Sequence, residues 1–207
     1  MGLKNEGIIE DKARELHEKT LEEIKKKKQQ LKKQKKFDRA NRSRTVSFVG
    51  ALINVCKADR RPWDGIGGKA AKKMVGMLAA AVANSNPYTT ALGILAGPMA
   101  NSIDKPDVYG HVELHYRGNI AAVANLGVQN DSFTPQWNNV AWRQIDINEA
   151  YLRISLFDKD LLDNDSIGIF EIGSELLKEA AAKGQVLPVQ VSEQTNGQVL
   201  FGLISVQ

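Results

Sequence analysis

Tyr151-Leu152-Arg153-Ile154-Ser155-Leu156-Phe157 alternates polar and apolar residues. A period of two is the mark of a strand with one buried face. The chain then runs Asp158-Lys159-Asp160-Leu161-Leu162-Asp163-Asn164-Asp165-Ser166-Ile167-Gly168 and enters a second apolar segment. Four aspartates and an asparagine lie within eight positions of one tight connection. Their carboxylates repel one another unless solvent or a cation stands between them. Asp and Asn favour turns through their own local hydrogen bonds, so a solvated acidic turn fits these residues. A loop that holds a hard cation through oxygen ligands, calcium above all, fits them too. It is not an EF-hand, because the glycine at position 6 and the glutamate at position 12 of that loop are missing.

Further strand patterns occupy 109–116, 120–126, 140–147, 167–172, 186–191 and 198–206. Thr45 to Cys56 is rich in β-branched and apolar types and reads as another strand. Ser174–Lys183 reads as a short helix, with Ser174 as its cap and Gly184 as its stop. The hydrophobic fraction of 43% is enough for a real core. The only cysteine, Cys56, excludes an internal disulfide and suits a reducing compartment. It reads as a small buried hydrophobe.

The charge is unevenly placed. Residues 1–44 hold fifteen Lys/Arg against eight Asp/Glu, and residues 45–207 hold thirteen against sixteen. Residues 8–37 read as one long helix of good helix formers. Leu16, Leu21, Ile24 and Leu31 form only a thin stripe, interrupted by Lys28 and too slight to hold a coiled-coil dimer alone. From Lys25 to Arg44 there are eleven bases and one acid, Asp38. This run reads either as a solvated helix face or as a site for anionic lipid headgroups. In the second case Lys25, Lys26, Lys27, Lys28, Lys32, Lys33, Lys35 and Lys36 would bind, each gaining roughly 1 kcal/mol at such a surface. Nucleic acid is the weakest partner, since Phe37 alone offers a base something to stack on.

From Met74 to Ile103 thirty consecutive residues carry no charge. Met74–Ala83 and Thr90–Ala100 read as helices, separated by turn chemistry at Asn84-Ser85-Asn86-Pro87-Tyr88. Each is far short of the roughly 20 residues that span hydrocarbon. A helical hairpin results, which either folds back on the rest of the chain or projects into a membrane or partner. Gly65-Ile66-Gly67-Gly68-Lys69 lacks the spacing and the following Ser or Thr of a phosphate loop. His17, His111 and His115 have no zinc spacing, and no nucleophile–base constellation is present, so no enzyme is expected. His111 and His115, four apart on a strand, point to the same face and are expected at the surface. Met1–Gly7 leads into charged residues and not into the apolar run of a secretory signal.

Three segments taken in order, Lys105-Pro106-Asp107-Val108-Tyr109-Gly110-His111-Val112-Glu113-Leu114, Gly127-Val128-Gln129-Asn130-Asp131-Ser132-Phe133-Thr134-Pro135-Gln136-Trp137-Asn138-Asn139-Val140 and Phe157 to Gly168, resemble a C2 domain. That family has a "DPY" strand entry, an "NPxWN" turn and a "DxD…DxIG" loop. The chain end, Gly197 to Val206, is similar to the family's closing strand. The resemblance covers roughly residues 45–64 and 105–207. It implies an all-β core, an eight-stranded antiparallel sandwich over 45–207 with ion-binding loops at one end. A basic helical arm would occupy 1–44, and helices would be inserted at about 66–103. Matched residue by residue, it places Asp64 and Asp107 in the first loop, with Asp59 a lesser candidate for Asp64. Asp158, Asp160 and Asp165 fall in the third loop, where Asp163 replaces or joins Asp165. The implied cofactor is calcium, and the implied partner is an anionic phospholipid membrane. The expectation is therefore a calcium-responsive peripheral membrane-binding module in the cytoplasm. The alternative is a calcium-independent interaction or assembly module that binds a protein partner, or itself, through the N-terminal helix and the hairpin.

Overall fold

The structure is a computed structural model that describes residues 18–33, 44–63, 68–160 and 164–207. The chain divides into two compact units, Met1–Arg42 and Ser43–Gln207. In the first, residues 18–33 form helix α1, every residue of it exposed. The remainder of the helix expected over 8–37 lies outside the described residues.

The second unit is two packed antiparallel sheets. Its strands are β1 (Arg44–Ile53), β2 (Val108–Tyr116), β3 (Asn119–Gln129), β4 (Ala141–Ile145), β5 (Ala150–Lys159), β6 (Asn164–Ile172), β7 (Leu187–Gln190) and β8 (Val199–Val206). One sheet has the order β4-β1-β8-β7 and the other β3-β2-β5-β6. The expected eight-stranded antiparallel sandwich is present. Its core follows the alternation read in the sequence. Leu152, Ile154 and Leu156 of β5 are buried while Arg153 between them is exposed. Phe48 of β1 reaches across to Phe170 of β6, with ring centroids 6.3 Å apart, and stacks on Trp137 at 5.9 Å.

Strands β5 and β6 run further into the acidic stretch than their sequence pattern. β5 continues through Lys159 and β6 begins at Asn164, because Asp158 pairs with Val108 on one side and with Asp165 on the other. Part of the acidic stretch is therefore ladder, not loop. Strand β2 is held close to β5 at Gly110, where an added Cβ would lie 2.0 Å from the Ser155 carbonyl oxygen.

The helices inserted after β1 are α2 (Gly68–Val82) and α3 (Pro87–Leu95), followed by a 3-10 turn at Pro98–Ser102. The second helix is displaced from the expected Thr90–Ala100. Pro87 stands in its first turn, where a missing N–H costs nothing, and Gly97-Pro98 ends the segment. Ala71, Met74, Leu78 and Ala81 of α2 and Ala91 and Leu95 of α3 are buried in the same core as the sandwich. Tyr88 packs edge-on to Phe201 of β8 at 5.7 Å. The hairpin thus folds back and adds core.

Helix α4 (Ser174–Lys183) ends as the sequence predicts, at Gly184 in the left-handed region with φ 63°. Its start differs. Gly173 is the cap, with extended backbone, and no side chain makes the capping hydrogen bond expected of Ser174, which is already helical.

Candidate functional site

The end of the sandwich that carries the acidic residues is built by four strands: β1 leaves there, β2 enters, β5 leaves and β6 enters. Asp107 sits one residue before β2, and Asp158 is in β5 opposite Val108. The Asp158 side chain is 1% exposed, and its Oδ1 accepts the Asp107 N–H at 2.8 Å. Asp107 in turn accepts the Asp131 N–H through Oδ1 at 2.8 Å, and its carbonyl accepts the Lys159 N–H at 3.0 Å. Asp131 has φ 50°, a backbone region that Asp tolerates better than most residues. These two carboxylates are thus built into the connections between β2, β3 and β5.

The third carboxylate has a different partner. Lys57, in the turn after β1, donates from its ammonium to Asp165 Oδ2 and lies 5.6 Å from the centroid of the Trp63 ring. The Trp63 indole N–H is anchored on the Asn54 carbonyl at 2.8 Å. The turn itself is tight. The Lys57 N–H bonds to the Arg61 carbonyl at 2.9 Å, and the Arg60 N–H bonds to the Lys57 carbonyl at 2.9 Å. Arg60 is exposed, with φ 68°. Asp59 is exposed and paired with Arg61, whose guanidinium hydrogen bond holds the Asp59 carboxyl below its ordinary range. Cys56 behind it is buried, and burial pushes its thiol up, which keeps it protonated and unreactive.

Of the residues expected to ligate calcium, the structure brings Asp107, Asp158 and Asp165 onto three adjacent strands. Asp160 follows the end of β5 and is half-buried. Asp64 and Asp163 lie outside the described residues. The oxygen donors suit calcium in kind, but the described set does not fit the ion as it stands. One oxygen of Asp107 and one of Asp158 accept backbone amides, and one of Asp165 accepts an ammonium. Among the described residues, no three His, Cys, Asp or Glu side chains form a group able to hold a metal. Of the expected lipid-binding bases, Lys25, Lys26, Lys27, Lys28, Lys32 and Lys33 are exposed on α1, while Lys35 and Lys36 lie outside the described residues.

Sequence reasoning missed two features. Lys57 gave no signal, because a single lysine after a strand is ordinary. The other is a polar network on the outer face of β2. His115 is only 7% exposed, stacks on Tyr151 at 4.4 Å, accepts the Tyr151 hydroxyl at Nδ1 (2.9 Å) and donates from Nε2 to Glu113 at 2.9 Å. A surface position was expected for it. The cross-strand pairing of His115 with Tyr151 explains the difference.

Fold and site together define a class: an eight-stranded antiparallel sandwich of two sheets with an inserted helical hairpin, whose acidic end is partly bound into its own ladder. No protein-family model matches the chain, and none of the curated proteins does. Among solved structures it is similar to the calcium-bound tandem C2 domains of extended synaptotagmin 2, with 15% identity and a TM-score of 0.42, over 80% of this chain and 45% of that one. It is also similar to a C2 domain of plant extended synaptotagmin 1, with 11% identity and a TM-score of 0.39, over 80% and 93%. A third structure, of a C2 domain, has 10% identity and a TM-score of 0.35, over 80% and 97%. The chain spans only 26% of the longer extended synaptotagmin 2 structure that also contains the SMP domain.

Proposed function

We propose that the chain is a peripheral module that docks on anionic phospholipid through basic side chains, on the arm and at the loop end of the sandwich. The observation that carries this reading is the exposure of α1. Lys25, Lys26, Lys27, Lys28, Lys32 and Lys33 all face solvent, and no acid interrupts them between Ile24 and Lys33. At a membrane surface each contributes about 1 kcal/mol. Leu21, Ile24 and Leu31 are exposed as well, at 43%, 43% and 57%. A stripe this thin supports charge-driven docking but does not replace it. The turn after β1 adds the exposed Arg60, while Arg61 beside it is paired with Asp59. Two weak attractions on one chain suffice for stable docking. No helix among the described residues is long and apolar enough to cross a membrane.

Calcium is not a step in this reading, because Asp107, Asp158 and Asp165 already have partners. Assembly through the hairpin has less support, since its apolar face lies in the core. The test is co-sedimentation of the full chain with phosphatidylcholine vesicles, with and without phosphatidylserine, in calcium or in chelator. Binding should require phosphatidylserine, fall steeply with salt and ignore the chelator. Equal binding to both vesicles, or none to either, defeats the proposal. Binding that appears only with calcium restores the ion-cup role to Asp64, Asp107, Asp158, Asp160, Asp163 and Asp165.

A further inference from the structure

Helix α2 (Gly68–Val82) has two faces of different kinds. Ala71, Met74, Leu78 and Ala81 are buried on one. On the opposite side Lys69, Lys72, Lys73, Gly76, Met77 and Ala80 are exposed, at the spacing of a single helical face. The bases are gathered at its start, and the turns after Lys73 carry no charge.

Stability does not explain this placement. The first turn of α2 holds Lys69 and no acid, although the partial positive charge of a helix N-terminus disfavours a cation. Helix α4 shows the favoured arrangement, with Glu175 in its first turn and Lys183 in its last. Among the described residues, no carboxylate is ion-paired with Lys69, Lys72 or Lys73. From Gly65 to Ile103 these three lysines are the only charges. Without them, the thirteen bases of residues 45–207 fall to ten, against sixteen acids. The hairpin is thus a basic island on an acidic unit.

We propose that the outer face of α2 is a further lipid-contact surface, where Lys69, Lys72 and Lys73 meet anionic phospholipid headgroups and Met77 enters the interface beside them. This surface presupposes the lipid-docking reading above and carries it from the arm to the second unit. Charge selects the kind of partner, since three cations on one face with no acid among them attract an anionic surface. The side chains beyond them select lipid over nucleic acid. Met77 is 41% exposed, and Gly76, Ala79 and Ala80 are exposed around it. Such a strip suits the boundary between headgroups and acyl chains. The helix has no aromatic residue on which a base could stack. The strip is too small to bind without the lysines, so this contact weakens with salt.

The test is co-sedimentation of full-chain variants with phosphatidylcholine vesicles containing phosphatidylserine, in chelator. Lys69→Gln/Lys72→Gln/Lys73→Gln should weaken binding about tenfold or more, since each base at such a surface contributes roughly fivefold. Arg117→Gln/Arg143→Gln/Lys178→Gln removes the same charge elsewhere on the second unit and should change binding little. The hairpin variant should melt no lower than the native chain, because it relieves a cation at a helix start. A second background separates this surface from the arm. With Lys25, Lys26, Lys27, Lys28, Lys32 and Lys33 all changed to Gln, weak phosphatidylserine-dependent binding should remain, and the hairpin changes should abolish it. A hairpin variant that binds like the native chain, or a charge-matched variant that loses as much, overturns the proposal and leaves the arm's role standing. An arm variant that binds as tightly as the native chain defeats the arm's role and leaves this surface standing. A hairpin variant that loses binding to single-stranded DNA but not to vesicles assigns the lysines to nucleic acid and overturns the proposal.

Discussion

The ammonium of Lys57 pairs with the carboxylate of Asp165, 108 residues further along the chain, and rests over the Trp63 ring. A cation supplied by the protein thus stands at the acidic end of the sandwich. The Lys57 side chain is 20% exposed and that of Asp165 48%, so solvent screens the pair strongly. Such pairs contribute less than about 1 kcal/mol, and the cation over the ring about 0.5–1 kcal/mol more. Lys57→Gln should therefore cost about 1 kcal/mol in urea unfolding. Asp165→Asn should cost less, because Lys57 keeps the ring.

Asp158 is the more consequential carboxylate. Its burial and its bond to the Asp107 amide tie the entry of β2 to the exit of β5. Asp158→Ala leaves that N–H without its acceptor and should cost about 1–3 kcal/mol. Asp158→Asn keeps an oxygen at the same place and should cost clearly less. Urea midpoints of the two variants, compared side by side, check the order.

Gly110 tests the strand spacing behind the site. A methyl group there would meet the Ser155 carbonyl oxygen at 2.0 Å, and backbone cannot turn aside as a side chain can. Gly110→Ala should cost about 3 kcal/mol or more, among the larger single-residue effects. Thermal unfolding by circular dichroism reads it directly.

Glu113 links stability to acidity. The hydrogen bond from His115 holds its carboxyl below the ordinary value of 4.5, with His115, Arg153 and His111 adding attraction. A folded-state pKa below the unfolded one adds stability that is complete above the unfolded value and is lost as pH falls through the folded value. Urea midpoints should therefore decline as pH drops below 4.5, and Glu113→Gln should flatten that decline.

The sandwich was legible because its signals are local. Alternation marks β5, and Gly184 marks the end of α4 by its need for positive φ. The eight strands fall at or near their sequence patterns. The hairpin's destination was not legible. An uncharged Ala- and Gly-rich segment serves a buried helix and a projecting one equally, and only its packing with the sandwich decides. The candidate site was legible as a location and not as an arrangement. The sequence shows where the aspartates are, but which amide or ammonium each one meets depends on register. Val108 had to fall opposite Asp158, and Lys57 had to arrive from a strand in the other sheet. Gln194 and Gln198 likewise look like ordinary turn residues until the fold places them beside β6.

The central claim is that the acidic end carries its own partners and that docking rests on basic charge. Thermal melting of the full chain in calcium and in chelator tests it most directly, since a ligand of the native state must raise the melting temperature. The account predicts the same melting temperature in both. A rise in calcium that Asp158→Asn abolishes would contradict it.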